Sequence, residues 1–147
     1  MLRSLFAAAA LSLLLAACVT PVGGVSTPSG PSTIPSEPLR LGDWRSASES
    51  ATLSQFQQNV ANRYGAGLPI SAVSADLRRQ DFSCEGGGAG RGDPPDQICR
   101  RTVSANSCTH TWQVHLFDGG GDDRLARTRG LYDRRCGDDG GLLGGPG

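Results

Sequence analysis

The chain has 147 residues, a formal net charge of zero and a charged fraction of 19%. Its apolar fraction of 37% is inflated by the first 18 residues, while all 21 Gly and nine Pro fall after them. One small, glycine-rich domain with a thin core fits this composition. A large multidomain enzyme and a polytopic membrane protein do not, and zero net charge disfavours nucleic acid as a partner.

The chain opens with Arg3 as a single positive charge, followed by a run over 5–17 that is apolar or small except for Ser12. That run is shorter than the ~20 residues a spanning helix needs, and it fits a signal-peptide h-region, so residues 1–17 read as a signal peptide. It ends Leu15-Ala16-Ala17-Cys18. This tetrad resembles the lipobox of bacterial lipoproteins. The resemblance implies cleavage before Cys18, diacylglycerol on its sulfur and acylation of the new amine. Several acyl chains on one residue, at about 0.8 kcal/mol per buried CH₂, would anchor the protein stably to a membrane. Val19 rather than Asp follows the Cys; within that family this implies the outer membrane, facing the periplasm.

Residues 18–40 form a tether rich in Pro, Ser, Gly and Thr, with no helical or strand period. The folded domain is expected over 41–136. Leu53, Phe56, Val60 and Tyr64 recur at helical spacing, with Ser50 or Thr52 as N-cap, and Gly65 and Gly67 end that helix. Ile70, Val73 and Leu77 mark a second helix over 71–80, capped by Ser71. Asp76, near Arg78 and Arg79, reads as part of its solvated face.

After Gln80 the apolar period changes to two, which predicts four strands: around Phe82 and Cys84, over 98–103, over 109–117 and over 124–136. In the third, Trp112, Val114 and Leu116 share one face, and Thr111, Gln113 and His115 the other. In the fourth, Ala126, Thr128 and Gly130 make a small face, with Arg127 and Arg129 opposite. Turn residues separate the strands at 104–107 and 118–123. The order predicts an α+β fold: two N-terminal helices packed on one face of a four-stranded antiparallel meander. The core is expected to hold Leu53, Phe56, Val60, Val73, Leu77, Phe82, Trp112, Val114 and Leu116. The glycine-rich stretch 137–147 reads as a disordered tail.

Besides Cys18 the chain holds Cys84, Cys99, Cys108 and Cys136. An even count in an exported domain with a thin core argues for two disulfides. In a meander, Cys84 closes the first strand where Cys99 opens the second, and Cys108 opens the third where Cys136 closes the fourth. The pairs 84–99 and 108–136 follow. Zinc motifs use closer cysteine pairs than these.

Sequence motifs for chemistry are sparse. His110 and His115 lie five apart on one strand, so they point to opposite faces and cannot share a metal; both read as surface or edge residues. Asp118, Asp122 and Asp123 lack the spacing of a calcium loop. The glycines of 85–97 are not followed by a helix and make no phosphate loop. No cofactor or metal is expected. The 14 basic residues are all Arg. Arg100, Arg127 and Arg129 are candidates to share the sheet face opposite the helices, where guanidinium forks could take an acidic partner or a lipid phosphate.

The pattern Gly67-x-Pro69 through Leu77, Phe82 and Cys84, followed by three strands, resembles small two-helix-plus-sheet envelope modules. Two such modules are the small lipoprotein of the outer-membrane β-barrel assembly machinery and the repeat unit of β-lactamase-inhibitor proteins. The resemblance covers about residues 50–136. An anchored, tethered, disulfide-stapled module without a catalytic constellation makes the expected function that of a non-enzymatic outer-membrane lipoprotein whose periplasmic module binds another envelope component, with an envelope protein as the expected partner. The alternative is a proteinaceous inhibitor that inserts a glycine-rich loop, 85–97 or 118–123, into a hydrolase.

Overall fold

The computed structural model describes residues 31–137. Cys18, the expected signal peptide and nearly all of the expected tail lie outside the described residues. Helices α1 (Glu49–Arg63) and α2 (Ile70–Arg79) precede strands β1 (Ser83–Gly86), β2 (Gln97–Ala105), β3 (Cys108–Asp118) and β4 (Leu125–Cys136). The strands form one antiparallel sheet in the order β1-β2-β3-β4. The α+β meander with two disulfides is the architecture that the sequence predicts. The sulfur pairs are Cys84–Cys99 and Cys108–Cys136. Each joins residues that face one another across a strand pair.

Local chemistry explains where the elements start. Of the hydroxyls before α1, Ser48 is the cap, accepting the Ala51 amide at 3.2 Å. This choice leaves Glu49 in the first turn, where a carboxylate complements the helix dipole. Ser50 and Thr52 are instead inside the helix. Helix α2 starts one residue earlier than predicted, and Ser71 does not cap it. The Asp123 carboxylate takes the Ser71 hydroxyl at 2.7 Å and its amide at 3.3 Å. A side chain from the β3–β4 turn thus satisfies the start of α2. Between β2 and β3, Asn106 and Ser107 both adopt positive φ, the geometry of a two-residue hairpin turn.

The helices cover the inner sheet face, which carries Cys99, Trp112, Val114, Leu116 and Tyr132. Phe56, Val60, Val73 and Leu77 reach down from the helices and are fully buried. At these levels of burial each large side chain contributes about 1.5–3 kcal/mol. Gly130 is small because α1 lies directly on it: an added Cβ would come within 3.2 Å of the Phe56 ring and 3.3 Å of the Gln57 Cα. Leu53 is only half-buried, and Thr52 takes the core position, its hydroxyl bonded to the Ser48 carbonyl at 3.0 Å. The other three apolar positions read from the helix, Phe56, Val60 and Tyr64, are buried, so the difference is confined to its N-terminal end.

Two polar residues expected at the surface are buried. Asp76 is 5% exposed and ties the helices together. Its Oδ2 accepts from Arg63 Nε and Nη2 at 3.0 and 2.9 Å, from the Tyr64 hydroxyl at 2.8 Å and from Gln80 Nε2 at 2.9 Å. Arg79 Nη2 donates to Oδ1 at 2.9 Å. Burial, then the Asp76 carboxylate, push the Tyr64 phenol up. His110 is 4% exposed, with its Nδ1 2.7 Å from the Tyr132 hydroxyl. Burial chiefly, then Arg134, hold the His110 pKa below 6.5, against a backbone hydrogen bond with Ala105.

The packed body begins before Leu41. Leu39 is buried, and its amide donates to Gln80 Oε1. Arg63 Nη1 donates to the Glu37 carbonyl. Trp44 packs edge-on against His110 and Trp112, with ring centroids 4.7 and 5.5 Å away. Trp112 Nε1 donates to the Leu41 carbonyl at 3.0 Å. Residues 39–47 therefore form a strap that closes the end of the core.

Candidate functional site: the outer face of the sheet

Strand register places the outer face residue by residue. One row runs Glu85, Ile98, His115, Arg129 across the four strands; the next runs Ser83, Arg100, Gln113, Leu131. Thr102, Thr111 and Asp133 continue it. The three candidate arginines do share this face. Their environments differ.

Arg127 has its guanidinium carbon 3.5 Å from the Phe117 ring centroid and pairs with Asp93 of the β1–β2 loop. Beneath it Phe117 is buried although it sits on the outer face. A stacked, paired guanidinium that covers an aromatic ring holds structure together. Arg100 makes one long pair with Glu85 at 3.4 Å, both side chains well exposed. Such a pair contributes little. Arg129 is exposed and has no ion-pair partner among the described residues.

Between Arg100 and Arg129 stands His115, on the central strand β3. Arg129 is its direct cross-strand neighbour and Arg100 lies diagonally across β2. Its Nε2 is 3.2 Å from Gln113 Oε1. Partial burial, then Arg129, then Arg100, hold the His115 pKa below 6.5. Two guanidiniums thus flank a neutral imidazole on an open, pleated platform. Chemically, this arrangement presents planar donor forks to a carboxylate or phosphate.

Sequence periodicity places His115 on this face but leaves its neighbours unidentified. Only the register across β2–β3–β4 brings Arg100 and Arg129 to its two sides. The acidic turn after β3 has another role. Asp118 Oδ1 accepts from the amides of Gly120, Gly121 and Asp122, and Oδ2 from Asp123. The Gly120 amide, set against some desolvation and helped by the other three, holds its carboxyl below the usual range. Its oxygens organise the turn that delivers Asp123 to α2. Among the described residues no group of three or more His, Cys, Asp or Glu is placed to hold a metal ion.

No model of a known protein family, no curated protein and no solved structure matches the chain.

Proposed function

We propose that the chain is a non-enzymatic outer-membrane lipoprotein, anchored through Cys18, whose periplasmic domain binds the acidic surface of another envelope protein. The observation that carries this reading is the outer sheet face, where Arg100 and Arg129 flank His115. The Leu15-Ala16-Ala17-Cys18 tetrad supports the anchor. The two disulfides fit an oxidising compartment.

Two measurements test the reading. Radiolabelled palmitate should enter the full chain and not the Cys18→Ala variant, and the label should sediment with outer membranes. A tagged chain should co-purify an identified envelope protein, and the double variant Arg100→Glu/Arg129→Glu should lose it while remaining folded. A label-free chain, or a partner retained by the charge-reversed face, contradicts the reading.

The inhibitor reading has an observation of its own. Gly88 through Pro94 are all exposed, and the loop that carries them is closed at its base by Cys84–Cys99. If this reading holds, shortening 88–94 abolishes binding to a hydrolase and charge reversal at Arg100 and Arg129 does not.

A further inference from the structure

A second surface, on the helix side of the molecule, has a different chemistry. An open groove of about 600 Å³ lies between the strap and α1. Its size is within the usual range of small-ligand sites. Arg40, Asp43 and Trp44 border it from the strap, and Gln55, Gln58 and Asn59 from the helix. We propose that this groove binds a neutral, N-acetylated oligosaccharide.

The walls are held in place before any ligand arrives. The Asp43 amide donates to Gln55 Oε1 at 2.7 Å, and Asn59 Nδ2 donates to the Arg40 carbonyl at 3.0 Å. Gly42, at φ +83°, approaches α1 so closely that a Cβ would stand 3.0 Å from the Thr52 carbonyl oxygen. A preorganised site loses less entropy on binding.

These bonds engage only one end of each group. Gln55 retains its amide NH₂, Asn59 its carbonyl oxygen and Asp43 its Oδ1. The Gln58 amide and the Arg40 guanidinium make no side-chain hydrogen bond among the described residues. Donors and acceptors therefore both line one groove, beside the Leu41 side chain and the Trp44 indole, over whose ring the Arg45 guanidinium lies at 4.4 Å. Sugar hydroxyls and an acetamido group both donate and accept, which suits such a mixed lining, and their CH and methyl groups suit the apolar wall.

The charges of Arg40 and Asp43 cancel, which favours a neutral ligand. The groove has a helix on one side and coil on the other. An extended peptide would find no strand edge with which to form a main-chain ladder.

The test uses a β-1,4-linked N-acetylglucosamine tetramer as probe, with the matching glucose tetramer and a neutral tetrapeptide as comparisons. Side-chain amide signals of Gln55, Gln58 and Asn59 and the indole signal of Trp44 are followed by NMR in the folded, oxidised protein. The N-acetylated tetramer should move them saturably, more tightly than the glucose tetramer. Gln58→Ala, at an exposed position, should weaken binding by about fivefold, the loss of one or two hydrogen bonds. Arg40→Ala serves as a second exposed variant with the same expected direction. Unmoved signals at roughly 10 mM probe, a weak-binding limit, would overturn the proposal. So would wild-type affinity in both variants, or movement with the tetrapeptide alone.

Discussion

The two faces of one sheet are built from the same four strands and follow different rules. On the inner face Trp112, Val114, Leu116 and Tyr132 are buried, and the one imidazole, His110, has a hydrogen-bond partner and an aromatic neighbour on each side. On the outer face His115 stands between two guanidiniums, one weakly paired and the other without an ion-pair partner among the described residues. Burial explains each inner residue. On the outer face neither Arg100 nor Arg129 is buried, and the only ion pair that either makes among the described residues is the long, exposed one of Arg100 with Glu85, which contributes little to stability.

The largest effects are expected on the buried side. Asp76→Ala leaves the Arg63 guanidinium buried without its carboxylate and should destabilise by about 3–5 kcal/mol. Denaturant unfolding of the purified domain measures it; a loss under about 1 kcal/mol would mean that water readily replaces the carboxylate. Trp112→Ala should remove a similar amount, about 3–5 kcal/mol, by opening a cavity under the strap.

Next in size come the disulfides. Loop-closure entropy puts Cys84–Cys99 at roughly 3 kcal/mol and Cys108–Cys136 at roughly 3–4. Paired Cys→Ala variants, unfolded in denaturant, should rank in that order, with the larger loss at 108–136. A smaller change is expected from pH. Both histidines hold their pKa below the unfolded value of 6.5. The unfolded chain therefore binds more protons as pH falls, so stability is full above about pH 6.5 and declines below it, toward the folded pKa values. Melting temperature should drop between pH 7.5 and 5.5, and His110→Asn should flatten that slope. The smallest effect on stability belongs to the outer face. Arg129→Gln should change it by less than about 0.5 kcal/mol, while NMR titration shows the His115 pKa rising as one neighbouring charge is removed. A large loss of stability here would place Arg129 among the structural residues, beside Arg127.

Periodicity made the strands, the meander and both disulfides legible, because cross-strand pairing follows from strand order alone. The same reasoning missed Asp76 and His110. A polar side chain near two arginines looks solvated in one dimension; its burial here depends on Arg63, thirteen residues away on another helix. His110 looks like a strand-edge residue until Trp44 folds over it from a segment with no period of its own. Thr52 in place of Leu53 was missed because a threonine counts as polar in an apolar stripe, whereas here its hydroxyl is satisfied by the Ser48 carbonyl and the side chain can be buried. On the candidate site, alternation put the three arginines on one face. The distinction among them came from Phe117, Asp93 and Glu85, which only the folded chain brings near.

The proposed docking of a partner on the outer face is tested by a photo-crosslinking amino acid placed in the living cell at Thr102 or at Ser54. Thr102 lies on the outer face beside Arg100, and Ser54 on the exposed side of α1. A discrete envelope-protein adduct should form from position 102, be lost in Arg100→Glu/Arg129→Glu, and have no counterpart of the same mass from position 54. The same adduct from position 54 alone, or an adduct at 102 that survives charge reversal, would contradict it.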